Sequence, residues 1–168
     1  MIGGLSLMVP AGLGAIFALD PLVRKKPSES AGEYLKVAPL MAVVPGAPPR
    51  AFPVIANQSD AWSQESGAEI GSVLLFREPG THDDDPAVMA WSTVCPHLGC
   101  RIDWAPDRDS FFCPCHSSVW DAAGKRGNNV SPRDMDRLET EIRKSPQGPE
   151  VWVAFRKFKT GIAEQQVV

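Results

Sequence analysis

The sequence predicts an all-β fold, a small antiparallel β-sandwich domain preceded by one N-terminal transmembrane helix. Sixteen prolines and fourteen glycines among 168 residues indicate many turns and short strands rather than long helices. Short runs with strand character follow one another between turn-forming residues. In the last run, Val151, Val153 and Phe155 alternate with Trp152 and Ala154, which is the period of a half-buried strand.

The first element is an apolar run at the start of the chain. Residues 1–19 contain no charged side chain, and as a helix they would span about 28 Å, close to the thickness of a bilayer. A cleaved signal peptide and a buried core helix are the alternatives, but no A-x-A cleavage site follows and the run is too long for either. Residues 1–23 are therefore predicted to be a membrane anchor.

The second element is a polar tether, residues 24–33, with the sequence RKKPSESAGE. Its small and charged residues carry no apolar period, which is typical of a flexible linker. The basic residues that begin it would by themselves favour a cytoplasmic position for whatever follows the anchor.

The third element is the β domain, residues 34–160, followed by a tail at 161–168. The Pro-rich interval 39–53 predicts edge and loop structure, and residues 60–67 and 78–86 are predicted to be surface excursions. The predicted strands are 34–37, 51–56, 72–77, 88–93, 110–113, 138–143 and 151–155.

Composition and charge exclude some functions. Apolar residues make up 43% of the chain and charged residues 22%, so a packed core is feasible and wholesale disorder is not expected. Seventeen Lys and Arg against twenty Asp and Glu give a formal net charge of −3. A nucleic-acid-binding protein normally has a basic surplus, so no nucleic-acid partner is predicted.

The chemistry is concentrated in two short segments. All four cysteines and two of the three histidines lie between residues 95 and 116, in the motifs CPHLGC (95–100) and CPCHSS (113–118). Six potential ligands exceed the four that a tetrahedral zinc site needs, and their spacing differs from that of common zinc sites. A binuclear iron–sulfur centre with mixed ligation takes two Cys on one iron and two His on the other. That stoichiometry is met by Cys95 and Cys113 with His97 and His116.

Two cysteines then remain, one in each segment. A disulfide bond between Cys100 and Cys115 would clamp the two loops together.

These motifs resemble those of the Rieske family, specifically its quinol-oxidising branch in cytochrome bc and b6f complexes. The resemblance is carried by about two dozen residues, and the order of anchor, tether and β domain extends it along the chain. It implies one [2Fe-2S] cluster and the ligand set and disulfide given above. The second cysteine pair matters for the subclass, because Rieske domains of ring-hydroxylating oxygenases typically lack it. A disulfide also needs an oxidising compartment.

The resemblance further implies a function. The chain is expected to be the iron–sulfur subunit of a quinol–cytochrome c oxidoreductase, not a catalyst on its own, with a b-type cytochrome subunit, a c-type cytochrome and a membrane quinol as partners. His97 or His116 would accept the hydrogen bond and proton of the quinol. Leu98 and Gly99 would form the exposed docking tip, together with Pro132 of a third, proline-containing loop. The expected location is the inner membrane, single-pass, with the domain on the periplasmic or extracytoplasmic side.

Residues near the ligands are expected to set the potential. Ser118 stands where the family places a hydroxyl donor to a bridging sulfide. Trp120 stands where high-potential members carry a Tyr that bonds a ligand-cysteine sulfur, so a lower potential and a menaquinol-like substrate are predicted. Ser117 stands where a Gly is usual.

Two other classes of function remain open from the sequence. One is a Rieske electron-relay subunit of a periplasmic molybdenum oxidase, resembling that of arsenite oxidase, which also has both cysteine pairs. The other is a structural or zinc-binding module. The polar tether favours the quinol-oxidising class, because a domain that moves between partners needs it and a fixed relay does not.

Overall fold

Short strands dominate the part of the chain that the structure describes. The structure is a computed structural model and describes residues 33–59 and 62–168; residues 33–58 and 64–168 of these belong to one compact unit. Within them lie a single-turn 3-10 helix, Leu40–Ala42, and ten strands. The strands are β1 (Tyr34–Pro39), β2 (Arg50–Ser59), β3 (Gln64–Arg77), β4 (Val88–Ser92), β5 (Asp103–Ala105), β6 (Ser110–Cys113), β7 (Ser118–Trp120), β8 (Arg137–Leu138), β9 (Thr140–Ser145) and β10 (Gly148–Ala154).

The strands form three sheets with the orders β1-β10-β9, β2-β3-β4-β8 and β5-β6-β7. The first pairs β10 antiparallel to both β1 and β9, and the second pairs β4 antiparallel to β3 and β8. The third is a small antiparallel meander in which Cys113 lies opposite Ser118. The described fold is therefore built almost entirely from strands, as the sequence predicts, although β2 and β3 are longer than expected.

A first core is built from both larger sheets. Val151 and Val153 of β10 are buried while Trp152 between them is half-buried, as the predicted alternation requires. The alternation does not extend to the end of the predicted strand, because Ala154 is also buried and Phe155 lies beyond β10. They pack with Val73 and Leu75 of β3 in one continuous apolar cluster. This core joins the β1-β10-β9 and β2-β3-β4-β8 sheets through apolar burial.

A second core lies under the small sheet. It contains the fully buried rings of Trp91, Phe111 and Trp120, and the Trp91 and Phe111 ring centroids are 5.2 Å apart. The cysteines Cys95 and Cys113 are members of the same cluster. The two thiols thus pack against aromatic rings. This packing restricts both their motion and their contact with water.

The strand predictions are mostly confirmed, with three corrections. Residues 60–67 are not entirely a surface excursion, because β3 already begins at Gln64. The predicted strand 138–143 is two strands, since β8 pairs with β4 whereas β9 pairs with β10. Strands β5 and β7 were not predicted, because three residues are too few to show a period.

The predicted anchor and tether fall outside this description. Residues 1–23 and all of 24–33 except Glu33 are not among the described residues. Among residues 33–59 and 62–168, no helix combines the length and the hydropathy of a membrane span.

Candidate metal centre

The first ligand-bearing loop connects β4 to β5. An antiparallel bridge between Val94 and Arg101 closes it at its base. Inside it the Cys95 N–H donates to the Cys100 carbonyl at 2.7 Å, and the Gly99 N–H donates to the Cys95 carbonyl at 2.9 Å. Gly99 has a φ of 81°, a left-handed conformation that glycine adopts without strain. These bonds fold residues 95–100 into a tight turn with a defined shape.

The second loop is the tip of the β6–β7 hairpin. Cys113 ends β6 and Ser118 begins β7 directly opposite it, so residues 114–117 form the connection. Ser117 has a φ of 59°, which is uncommon and strained for a residue with a Cβ. The Asn128 side-chain amide donates to the Ser117 carbonyl at 2.7 Å and helps to hold this conformation. The serine at position 117, where the family usually has Gly, therefore adopts a strained backbone conformation.

A disulfide bond joins the two loops, and it is the predicted pair, Cys100 with Cys115. The two Cα atoms are 6.5 Å apart and the residues are 15 positions apart in the sequence. The Cys113 sulfur lies within 4.8 Å of both disulfide sulfurs. The disulfide therefore borders the site directly.

The four predicted ligand residues lie on the two loops that this disulfide joins. Cys95 and Cys113 are free, buried thiols. The His97 and His116 rings have centroids 4.7 Å apart and stand nearly perpendicular, at 84°. His97 is half-buried and His116 is exposed. The two loops thus carry a pair of buried thiols and a pair of adjacent imidazoles, and the imidazoles lie nearer the surface.

Burial controls the chemistry of the two thiols. It raises the pKa of the Cys95 thiol above its ordinary value, and the nearby Cys113 acts in the same direction. The His97 backbone N–H and the Ser118 hydroxyl oppose this shift in the pKa of Cys95. A thiolate in this apolar setting is favoured when a cation is bound to it.

The Ser118 hydroxyl is itself a buried donor in need of an acceptor. Its side chain is fully buried, and apart from its interaction with the Cys95 thiol its oxygen has no hydrogen-bond partner among the described residues. A buried hydroxyl without a partner is energetically costly, so such a group is normally satisfied by something else. An anionic sulfur in the site would accept its hydrogen bond, which fits the role predicted for Ser118 as a donor to a bridging sulfide.

The Trp120 indole has a different partner. The side chain is fully buried, and Nε1 donates to the Arg133 carbonyl at 3.3 Å. Its donor is therefore directed to the backbone of the proline-containing loop. The predicted role of Trp120 near the ligands stays a prediction.

The predicted docking tip is exposed in part. Leu98 is 61% exposed and Gly99 is exposed beside it, whereas Pro132 is half-buried. Arg126 donates to the Ser131 carbonyl at 3.2 Å and to the Pro132 carbonyl at 3.4 Å. An apolar side chain thus projects next to the two histidines.

The sequence did not reveal one buried polar pair near the site. Arg133 and Asp136 form two parallel hydrogen bonds, each of 2.8 Å, and both side chains are more than 90% buried. Arginine and aspartate three residues apart are common on protein surfaces, so no sequence signal marked this pair as buried. It lies in the same loop as Pro132.

These residues fit an iron–sulfur group with mixed ligation. The two loops, joined by the disulfide, offer two free buried thiols, two adjacent imidazoles and the buried Ser118 hydroxyl. Sulfur and imidazole nitrogen are the donors that such a group takes from a protein. The fold and site together define a small β domain for a binuclear iron–sulfur centre.

Known proteins of similar sequence are also iron–sulfur proteins. Residues 53–140 match the Rieske [2Fe-2S] domain family. The chain is 31% identical over 132 residues to the menaquinol:cytochrome c reductase iron-sulfur subunit of Geobacillus thermodenitrificans, covering 76% of this chain and 70% of that protein. The subunit of the same name from Bacillus subtilis (strain 168) is 28% identical over 131 residues, covering 76% and 71%. A solved chain of a hyperthermophilic respiratory Complex III is 24% identical with a TM-score of 0.47, covering 89% and 97%.

The chain belongs to the Rieske [2Fe-2S] family, and its domain holds one [2Fe-2S] cluster.

Replacing Ser117 with Gly should stabilise the protein. The substitution removes the left-handed strain at 117, and after allowing for the greater freedom of Gly in the unfolded chain we expect a gain of about 0.5–1 kcal/mol. The gain in stability is measured by thermal unfolding. Asp109→Gly is the matched control, because Asp109 also has a positive φ, 47°, but lies in the β5–β6 turn. A lower melting temperature for Ser117→Gly alone would show that the Ser side chain stabilises the loop.

Removing the disulfide should loosen the site. Both cysteines are replaced, Cys100→Ser with Cys115→Ser, so that no new thiol lies beside Cys113. For a loop of this length we expect a loss of about 3 kcal/mol in the free energy of unfolding. We also expect faster loss of iron, followed by metal analysis and the visible spectrum. Unchanged iron retention and stability would contradict a clamping role.

Proposed function

We propose that the chain is the iron–sulfur subunit of a quinol–cytochrome c oxidoreductase and acts in electron transfer from a menaquinol-like quinol to a c-type cytochrome. The observation that carries the proposal is the adjacent pair of imidazoles, His97 and His116, at the outer end of the buried thiol site beside the exposed Leu98. The similarity to two menaquinol:cytochrome c reductase subunits supports the substrate class.

The ligand assignment follows the burial of each side chain. Cys95 and Cys113 would hold one iron from the inner, apolar side, and His97 and His116 would hold the other from the outer side. Ser118 would donate its buried hydroxyl to a sulfur of the group. The aromatic rings of the second core keep water away from the thiols of Cys95 and Cys113.

Held by these residues, the group would supply a one-electron acceptor, whose potential two neutral imidazole ligands would raise above that of a four-thiolate centre. An imidazole that binds metal through one ring nitrogen keeps a second nitrogen for hydrogen bonding. On His97 or His116 that second nitrogen would accept the hydrogen bond of a quinol hydroxyl and then its proton, so that proton release is coupled to electron transfer.

The proposed setting is a membrane complex. Residues 1–23 would anchor the chain in the inner membrane, and residues 24–33 would let the domain move between a b-type cytochrome subunit and the c-type cytochrome. The disulfide supports a location of the domain on the periplasmic or extracytoplasmic side, because such bonds persist in oxidising compartments.

Purification of the full-length chain from solubilised membranes of its source tests this function. We expect a b-type haem in the difference spectrum, and reduction of the Rieske centre by menaquinol, followed by electron paramagnetic resonance (EPR). A molybdopterin-containing partner, with no reduction by quinol, would instead support the relay subunit of a molybdenum oxidase. Purified protein with zinc and no iron would overturn both.

The potential of the centre should respond to Trp120. Because the indole donates to the Arg133 carbonyl, a tyrosine at this position could instead place a hydroxyl near a ligand sulfur. We expect Trp120→Tyr to raise the midpoint potential, on the order of tens of millivolts, in a redox titration. Trp120→Phe is the control, since it also loses the indole bond but brings no hydroxyl. Equal shifts in the two variants, or no rise in the tyrosine variant, would contradict the explanation.

A further inference from the structure

Arg133 connects parts of the chain that are distant in sequence. Its guanidinium donates twice to Asp136, and it also donates to the Lys159 carbonyl at 2.9 Å and the Ile162 carbonyl at 2.7 Å. A buried ion pair is costly to desolvate, and this cost is offset when the remaining donors are bonded. Here Nε, Nη1 and Nη2 all donate, so the guanidinium both balances Asp136 and holds the C-terminal segment.

The segment held by Arg133 touches the first ligand-bearing loop. Between its two bonded carbonyls lies Gly161, whose N–H donates to the Pro96 carbonyl at 2.8 Å. A Cβ at Gly161 would lie 3.7 Å from the His97 carbonyl. A Cβ at Gly99 would lie 3.8 Å from the Thr160 methyl. Residues 159–162 therefore support the loop that carries His97.

Arg133 also supports the other side of the site through its backbone. Its carbonyl accepts the Trp120 indole N–H at 3.3 Å and the buried Ser131 hydroxyl at 2.7 Å. Trp120 ends β7, the strand that begins at Ser118. One residue thus joins the C-terminal segment, the proline-containing loop and the second hairpin strand.

We propose that Arg133 is a positioning residue for the quinol-side imidazole. Through residues 159–162 it fixes the loop 96–99, and with it the direction of the His97 ring and the exposed Leu98. Asp136 holds the guanidinium in place. The link to quinol rests on the function proposed above, whereas the link to the His97 loop rests on the hydrogen bonds alone.

Arg133→Lys is the test variant, because it keeps the charge but cannot reach the carboxylate and both carbonyls at once. Arg143→Lys is its control, an identical change at a partly exposed arginine that stacks on Trp152. A second pair of variants consists of two chains shortened at the C-terminus. A chain ending at Phe158 loses both carbonyls and the Gly161 donor. One ending at Ala163 keeps these groups but loses residues 164–168, which bond back to residues 157–159.

Three measurements are made on the full-length, cluster-loaded protein and on the shortened chains. Hydrogen exchange reports the opening of residues 95–100 and, where present, 159–162. We expect it to be about tenfold faster in Arg133→Lys, since bonds to a charged donor are lost. The EPR spectrum of the reduced protein reports the ligand geometry at His97. The quinol KM, compared with kcat in the purified complex, reports docking.

The proposal expects Arg133→Lys and the chain ending at Phe158 to share a changed EPR spectrum and faster exchange at 95–100. We expect Arg143→Lys to behave as the unaltered protein, and the chain ending at Ala163 to show a smaller change than the chain ending at Phe158. The proposal also expects a KM that rises more than kcat falls in Arg133→Lys. A lower melting temperature with unchanged EPR spectrum and loop exchange would overturn it, because the role would then be structural alone. If the unaltered protein does not oxidise quinol, the function fails, and the exchange and EPR results still decide the positioning role.

Discussion

The disulfide between Cys100 and Cys115 joins a loop of the β4–β5 connection to the tip of the β6–β7 hairpin. Each loop carries one thiol and one imidazole of the candidate centre, so neither loop is a site by itself. The hydrogen bonds within residues 95–100 shape the first loop, and the left-handed Ser117 shapes the second. The covalent link sets the distance between them, and the adjacent His97 and His116 rings depend on it.

The two hydrophobic cores have different structural roles. The first unites the larger sheets with aliphatic side chains and includes neither cysteine of the candidate centre. The second packs Cys95 and Cys113 against aromatic rings. The burial that raises the pKa of Cys95 also disfavours an unpaired thiolate there. The same burial would keep water from a bound metal. A thiolate on the inner side would therefore need a bound cation, while His116 on the outer side is exposed.

Much of the site could be predicted from the sequence because its signals are local. The cysteine and histidine spacing predicted the confirmed disulfide, and alternation predicted β10. The rest depends on contacts that no local pattern contains. Strands β5 and β7 exist because β6 pairs with both, not because of their three-residue sequences. The burial of Arg133 depends on carbonyls 26 and 29 residues further along the chain. The strain at Ser117 became visible only with its backbone angle.

We propose that these two loops hold one binuclear centre with thiolates on one iron and imidazoles on the other. Mössbauer spectroscopy of the reduced protein loaded with iron-57 distinguishes iron sites by their ligands. We expect two inequivalent irons in equal amounts, a ferric site with sulfur ligation and a ferrous site with nitrogen ligation. Replacing His97 or His116 should alter the ferrous site alone. A single class of iron with sulfur-only ligation, or a spectrum unaffected by either histidine, would rule out this ligand arrangement.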